Sequence, residues 1–464
     1  MGLALTAAEL LRNELLLFAA IGLLLGGLDD LAIDGLYATR RLWRSITIYS
    51  RIARMTACDL PPPGRAGPIA VFVPAWDEGE VIGPMLRACL HKWRDEDVHL
   101  FVGAYPNDPV TLERVRQVTA GPDGARVSLV LNPRPGPTTK ADCLNQLWGA
   151  MRAWEQAQGR EMLAVVLHDA EDVVHRDALR LIGLLAPRFG LVQLPVLPLA
   201  SARSRWIAGH YCDEFAEHHG KSLAVREALG AALPSAGVGC GFNRRVLGRI
   251  AAARGELPFD PDSLTEDYEL GLRIGEAGDR GVLVRMRDED GALIATREYF
   301  PDTLGAAVRQ KARWTVGIAL AGWDRMGWSG SWHERWMRLR DRRAALAALV
   351  LLAAYLGLLM AGLVAIAELA GRASAPLPWP LPWLLKITGV ILGWRLLVRM
   401  IFVWRAYGWW EALLSVPRSL VANIIAMLAV RRAVDIYVRH LRGQRLVWDK
   451  TTHRFPDAAE PSRS

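Results

Sequence analysis

Hydrophobic residues are patterned on two scales along this chain. Near both ends they run on with little polar relief: Glu14 to Leu36, Ala344 to Ala370, Trp383 to Trp404 and Trp410 to Val430. About 20 such residues cross a bilayer as a helix, so the first three runs read as spans. The third is interrupted by Lys386, Arg395 and Arg399, and the fourth carries Glu411, Pro417 and Arg418, so the fourth is expected to lie along the interface or to re-enter. Between these runs the apolar residues come in short blocks. Ile69 to Val73, Val98 to Val102, Val127 to Leu131 and Leu163 to Leu167 have the length and composition of buried strands, with helices predicted over Gly79 to Lys92 and Lys140 to Gln158. Alternating strands and helices predict an α/β domain on a mostly parallel sheet with helices on both faces.

This reading divides the chain into an N-terminal transmembrane helix over 1–38, a basic juxtamembrane segment and linker over 39–67, a water-exposed α/β domain over 68–330, transmembrane and interfacial helices over 331–440, and a tail over 441–464. The linker is stiffened by Pro61, Pro62 and Pro63. With no basic stretch ahead of it and no small-residue cleavage site evident, the first run is expected to be an anchor rather than a signal peptide.

Hydrophobic residues make up 52% of the 464, and the formal charge is +8. A basic chain can bind nucleic acid, but here the arginines flank the apolar runs: Arg40, Arg41, Arg44, Arg51 and Arg54 follow the first, and Arg335, Arg338, Arg340, Arg342 and Arg343 precede the second. That placement points to membrane lipid rather than nucleic acid as the partner, with the α/β domain on the cytoplasmic side. Five widely spaced cysteines without a C-x-x-C argue against a disulfide framework or a zinc site.

Candidate chemistry gathers where strands end. His168, Asp169, Glu171 and Asp172 follow the Leu163 to Leu167 block, at the strand end where ligands sit in open α/β sheets. These acids read either as a divalent-metal site facing a diphosphate or as a solvated turn. Pro74-Ala-Trp-Asp-Glu78 closes the first strand, and Thr138-Thr-Lys140 opens a helix whose start suits an anion. Gly237, Gly239 and Gly241 would let backbone approach a flat ligand, or simply form a tight loop. Thr265 is a possible cap for a helix beginning Glu266-Asp267, where the adjacent like charges suit a general base. Gln310, Arg313 and Trp314 share about one helical face, with a guanidinium for phosphate and an indole for a sugar ring. His210, Glu214 and His218 also share a face, though a helix lining an acceptor groove is the better reading than a metal site.

Taken in order, Pro-x-x-x-Glu, Lys-Ala-x-x-Leu-Asn, Asp-x-Glu-Asp, Thr-Glu-Asp and Gln-x-x-Arg-Trp resemble the membrane-embedded family 2 glycosyltransferases, which include cellulose, chitin and hyaluronan synthases. Within that family, the stretches His168 to His175, Tyr105 to Asp108 and Trp448 to Pro456 resemble the bacteriophage-adsorption-protein-B type of inner-membrane enzyme. The resemblance implies a GT-A catalytic domain and inverting transfer from a nucleotide sugar. It implies that Pro74, Glu78 and Lys140 hold the nucleotide, that Asp169 and Glu171 bind Mg2+ or Mn2+, and that Asp267 is the base. Glu266 would stand beside the substrate, and Gln310, Arg313 and Trp314 would frame acceptor and leaving group. Three departures stand out. Asp77 replaces a common asparagine, Gly103 to Asp108 lacks the usual acid pair for uracil, and Glu171 replaces the second Asp of the metal motif.

The expected activity is addition of a sugar, with N-acetylhexosamine a candidate, from a UDP-sugar to a growing glycan at the bacterial inner membrane. An export partner or homo-oligomer would complete a route across. Two alternatives remain open: single addition to a polyprenyl-phosphate lipid, and a non-catalytic receptor or scaffold.

Overall fold

The computed structural model describes residues 2–65, 67–444 and 455. Seven strands form one sheet: β1 (Ile69–Pro74), β2 (Val98–Ala104), β3 (Val127–Leu131), β4 (Ala164–Leu167), β5 (Leu191–Gln193), β6 (Cys240–Asn243) and β7 (Gly281–Leu283), in the order β3-β2-β1-β4-β6-β5-β7. The first four lie where the apolar blocks place them. β1 pairs in parallel with both β2 and β4, and β2 with β3. Every residue of β1 and β2 is buried, as expected of parallel strands covered on both faces. Alternate residues of β1 serve two cores: Val71 and Val73 join Met85, Leu179 and Ile182 on one face, and Phe72 joins Phe101, Leu144 and Phe242 on the other.

The second half of the sheet is mixed. β6 runs antiparallel to β4 and β5, and β5 pairs in parallel with β7. These strands are three or four residues long, too short for a period to show in the sequence. Gly241, expected in a ligand-approach loop, instead lies within β6 opposite Val166 and Val192. From β1 the chain runs outward to β2 and β3, then returns to β4 on the other side of β1. The carboxyl ends of β1 and β4 therefore frame the crevice where such sheets bind ligands.

Among the described residues, four helices are long and apolar enough, by length and composition, to cross a membrane: 5–47 within Gly2–Thr47, Ala344–Leu369, Leu381–Tyr407 and Trp409–Leu441. The first is a single 46-residue helix and runs well past Leu36. Asp29, Asp30 and Asp34 consequently lie inside it, where partners from other elements neutralise them. Asp29 pairs with Arg340 and, at 2.5 Å, with Arg343; Asp34 meets Lys221 at 2.5 Å and accepts from Trp394 Nε1 at 2.9 Å. Trp409–Leu441 continues unbroken through Pro417 and packs on both Leu381–Tyr407 and the Leu304–Thr315 helix. Of its charges, Arg418 is buried against Asp213 at 2.7 Å and Glu411 at 2.6 Å. The stretch Trp448 to Arg454 lies outside the described residues, while Phe455 packs against the core of the α/β domain.

Candidate active site

The site grows from three element ends that the sheet order brings together. At the first, Thr139 caps the Lys140–Gln158 helix, its hydroxyl accepting from the Asp142 amide at 3.1 Å. That fixes Lys140 in the first turn, with Nζ 2.6 Å from Asp169 Oδ1. Burial disfavours the ammonium, but Asp169, Glu266 and Asp267 outweigh it and hold Lys140 above its usual range. Farther along the helix, Asn145 is structural: its amide donates to Phe259 O at 2.9 Å and its carbonyl accepts from Phe259 N at 3.1 Å.

The second is the turn after β4. Asp172 Oδ2 accepts from the Asp169 amide at 3.2 Å and lies 2.5 Å from His168 Nδ1. Burial pushes His168 down to about 4 and, with Asp169 and Glu171 adding, raises Asp172 well above the usual carboxylate range. Asp172 thus pins the turn that presents Asp169, with His168 buttressing it from inside the domain.

The third is the start of the Glu266–Glu276 helix. Glu266 is buried, and burial with the neighbouring Asp267 charge pushes it up to about 7, against the pull of Lys140. Asp267 is raised too, chiefly by burial, with Lys140 opposing. Its Oδ1 accepts from the Tyr268 amide at 2.8 Å. Gly237, at φ +78°, lies directly behind this carboxylate, where a side chain would meet it. Thr265 precedes the helix, but its hydroxyl makes no capping bond. The sequence reading also passed over Glu269, one turn beyond Glu266 on the same face. It is buried, pairs with Arg325 and accepts from Ser263 Oγ at 2.8 Å, tying down the loop that delivers the acid pair.

Lys140, Glu266, Asp267, Arg313 and Trp314 line one small cleft of about 40 Å³, together with Thr139 and the 263–265 loop. Asp169 joins it through Lys140. Trp314 is backed by Tyr211, Phe215 and Phe300. The remaining predicted residues do not line this cleft. Pro74 ends β1, Glu78 and Glu171 are buried, and Gln310 is half-buried one turn before Arg313 and Trp314.

The loop after β1 is fastened from below: Asp108 Oδ2 accepts from the Asp77 amide at 2.6 Å, while Asp108 Oδ1 accepts from Thr111 N at 3.2 Å and caps the Pro109–Thr119 helix. Asp108 therefore ties the loop after β1 to the start of the Pro109–Thr119 helix. Above it Trp76 meets Tyr105 edge-on, with centroids 5.2 Å apart. His210, Glu214 and His218 form no metal site. The helix widens into a π-turn at His218–Ser222, and Glu214 is engaged by Lys311.

Among the described residues, no three His, Cys, Asp or Glu side chains converge to hold a metal by themselves. Asp169 nevertheless suits a cation, since it already holds the Lys140 ammonium. Two carboxylates suffice for an ion that completes its shell with donor phosphates and water.

A helix-start lysine, a strand-end acid and a helix-start acid pair thus border the crevice at the carboxyl ends of β1 and β4. The family profile described as "Glycosyltransferase like family 2" matches residues 65–317, over half the chain, and the chain belongs to that family. It is 38% identical over 471 aligned positions to bacteriophage adsorption protein B of Escherichia coli strain K12, covering 96% of this chain and 62% of that one. The figures are the same for bacteriophage N4 adsorption protein B of Escherichia coli O157:H7. The chain thus spans under two thirds of the length of these relatives. Among solved structures, a mannosyltransferase from Pyrobaculum calidifontis in complex with GDP-Man and Mn2+ is similar at 18% identity and TM-score 0.49, covering 88% of this chain and 99% of its own. Glucosyl-3-phosphoglycerate synthase from Mycobacterium tuberculosis is similar at 17% identity and TM-score 0.34, covering 58% and 86%.

Proposed function

We propose that this chain is an inverting, metal-dependent transferase at the bacterial inner membrane, with its α/β domain in the cytoplasm, that moves a sugar from a UDP-sugar to a glycan. The observation that carries the reading is the approach of Lys140 and the Glu266-Asp267 pair around one cleft that Arg313 and Trp314 close. Asp267 takes the proton of the acceptor hydroxyl as its oxygen bonds to the anomeric carbon. The bond from that carbon to the diphosphate breaks, and the nucleoside diphosphate leaves with the electron pair. Glu266 beside it holds a proton near neutrality and keeps the pair from carrying two full charges. Lys140 exchanges its Asp169 contact for the donor diphosphate, Arg313 meets the leaving charge, and Trp314 offers its face to the sugar. Asp169 and Glu171 would hold Mg2+ or Mn2+, which when bound neutralises charge on the departing diphosphate. Pro74 and Glu78 would border the nucleoside, and Gln310 the acceptor.

The motif helix Leu304–Thr315 packs on the long Trp409–Leu441 helix, which favours an acceptor delivered at the membrane. Product length separates chain growth from single addition to a polyprenyl-phosphate lipid, and an export partner or a second copy would extend the route. The primary test is nucleotide release by the purified chain over a panel of UDP- and GDP-sugars, with and without Mn2+. One UDP-sugar should give metal-dependent release that Asp267→Asn abolishes. Unchanged transfer by Asp267→Asn would sink the proposal.

A further inference from the structure

A second and larger cavity, about 280 Å³, lies away from the cleft, where the long helices meet the α/β domain. Its size approaches the roughly 300 Å³ at the low end of small-molecule sites. Six basic side chains line it: Lys221, Arg226, Arg340, Arg343, Arg395 and Arg399. Asp30, Glu214, Glu217 and Asp341 line it too, and Asp29 and Asp34 answer part of the charge from behind.

The pairing is uneven. Arg340, Arg343 and Arg395 share only Asp29 and Asp30, with Arg343 at 2.5 Å and 2.8 Å and Arg340 at 3.0 Å from Asp30. Glu214 is drawn to Lys311, outside the cavity lining. Arg226 is 3% exposed. It donates through Nε to Ala232 O at 2.6 Å and through Nη1 to Asp341 at 2.7 Å, but its Nη2 is buried with no partner among the described residues. Burial and the Arg343 charge push Arg340 down to about 10, with Asp29, Asp341 and Asp34 opposing.

We infer that this cavity binds a phosphoryl anion at the membrane boundary, separately from sugar transfer. With Glu214 drawn off to Lys311, the six cations are answered by five carboxylates, Asp29, Asp30, Asp34, Glu217 and Asp341; the one excess charge and the unpartnered Nη2 of Arg226 select an anion, and planar guanidinium forks match phosphate oxygens. The position argues for phosphate over an acidic side chain. Asp30, Arg395 and Arg399 belong to two of the long apolar helices, at the level where these reach Arg340 and Arg343. Lipid phosphates lie at such a boundary, and Leu223 and Met337 give the cavity an apolar wall. A lipid headgroup and a free phosphate share this chemistry.

The test uses the full chain in phosphatidylcholine nanodiscs containing phosphatidylglycerol, followed by native mass spectrometry. Wild type should retain phosphatidylglycerol in preference to phosphatidylcholine. Arg395→Gln leaves Asp30 with Arg340 and Arg343, and it and Arg226→Gln should each lower retention about tenfold or more. Exposed Arg405→Gln should not. If no lipid is retained but phosphate or pyrophosphate raises the melting temperature of wild type and not of Arg395→Gln, the anion is free rather than lipid-borne. Comparison with Arg395→Gln separates that effect from pyrophosphate in the donor cleft. Equal retention of both lipids with no phosphate effect overturns the inference, and this wild-type comparison decides even if a variant fails to fold.

Discussion

Gly237 offers a sharp test of the assigned base, because it is remote from the donor in role yet touches Asp267. A Cβ added there would stand 3.1 Å from Asp267 Cγ and 3.4 Å from Asp267 Cβ, with Oδ2 closer still. Ordinary carbon contacts begin near about 3.5–4.0 Å, so relief requires the carboxylate to retreat by about half to one ångström. A reacting group misplaced by about 1 Å loses on the order of 100-fold in rate. The φ of +78° adds a backbone cost of about 1–2 kcal/mol for alanine. Gly237→Ala should therefore lower kcat about 100-fold, leave the donor KM within a few-fold, and reduce the melting temperature modestly. Steady-state nucleotide release, with nucleotide affinity measured alongside by calorimetry, reads both quantities. A kcat within threefold of wild type in a folded variant would refute the placement of Asp267 as base. A loss that follows nucleotide affinity would instead make Gly237 a donor-site residue.

Other outcomes follow from the same geometry. Asp267→Asn should lower kcat by about 10²–10⁴-fold while nucleotide affinity survives, whereas Lys140→Met should raise the donor KM about tenfold or more. Because burial raises Asp267 above the usual carboxylate range and the base works unprotonated, the pH–rate profile should fall on its acid side as Asp267 takes up a proton. The raised pKa of Glu266, pushed up to about 7 by burial and Asp267, favours folding below the ordinary carboxylate range, and that contribution is lost as pH rises through about 7. Melting temperature should accordingly fall more in wild type than in Glu266→Gln between about pH 6 and about pH 8. Arg418→Ala strands Asp213 and Glu411 and should destabilise the chain by about 3–5 kcal/mol, measured as loss of monodisperse protein on heating.

Much of this molecule is written locally. β1, β2 and β4 are legible because strands buried on both faces are near-continuous apolar blocks, and the half-buried edge strand β3 by its β-branched and aliphatic run. The turn from His168 to Asp172 is legible because acids halt such a block at the ligand-binding edge. Lys140 and the Glu266-Asp267 pair could be nominated singly, and their order along the chain carried the family resemblance. What spacing alone does not reveal is that they converge. That follows from the return of the chain to β4 beside β1 and from the loop held by Ser263 and Glu269.

The sequence by itself determined the element types, the apolar runs, and which side chains carry charge at strand and helix ends, since each depends on neighbours a few residues away. Tertiary structure decided which charges are answered and by whom. Arg418 is a charge in an apolar run until Asp213 meets it, and so are Asp29 and Asp30 until Arg340 and Arg343 arrive from far along the chain. Gly237 reads as a loop residue until Asp267 is found against it. Burial energies of ions and the position of a catalytic carboxylate depend on groups distant in sequence, and only the packed fold brings those groups within reach.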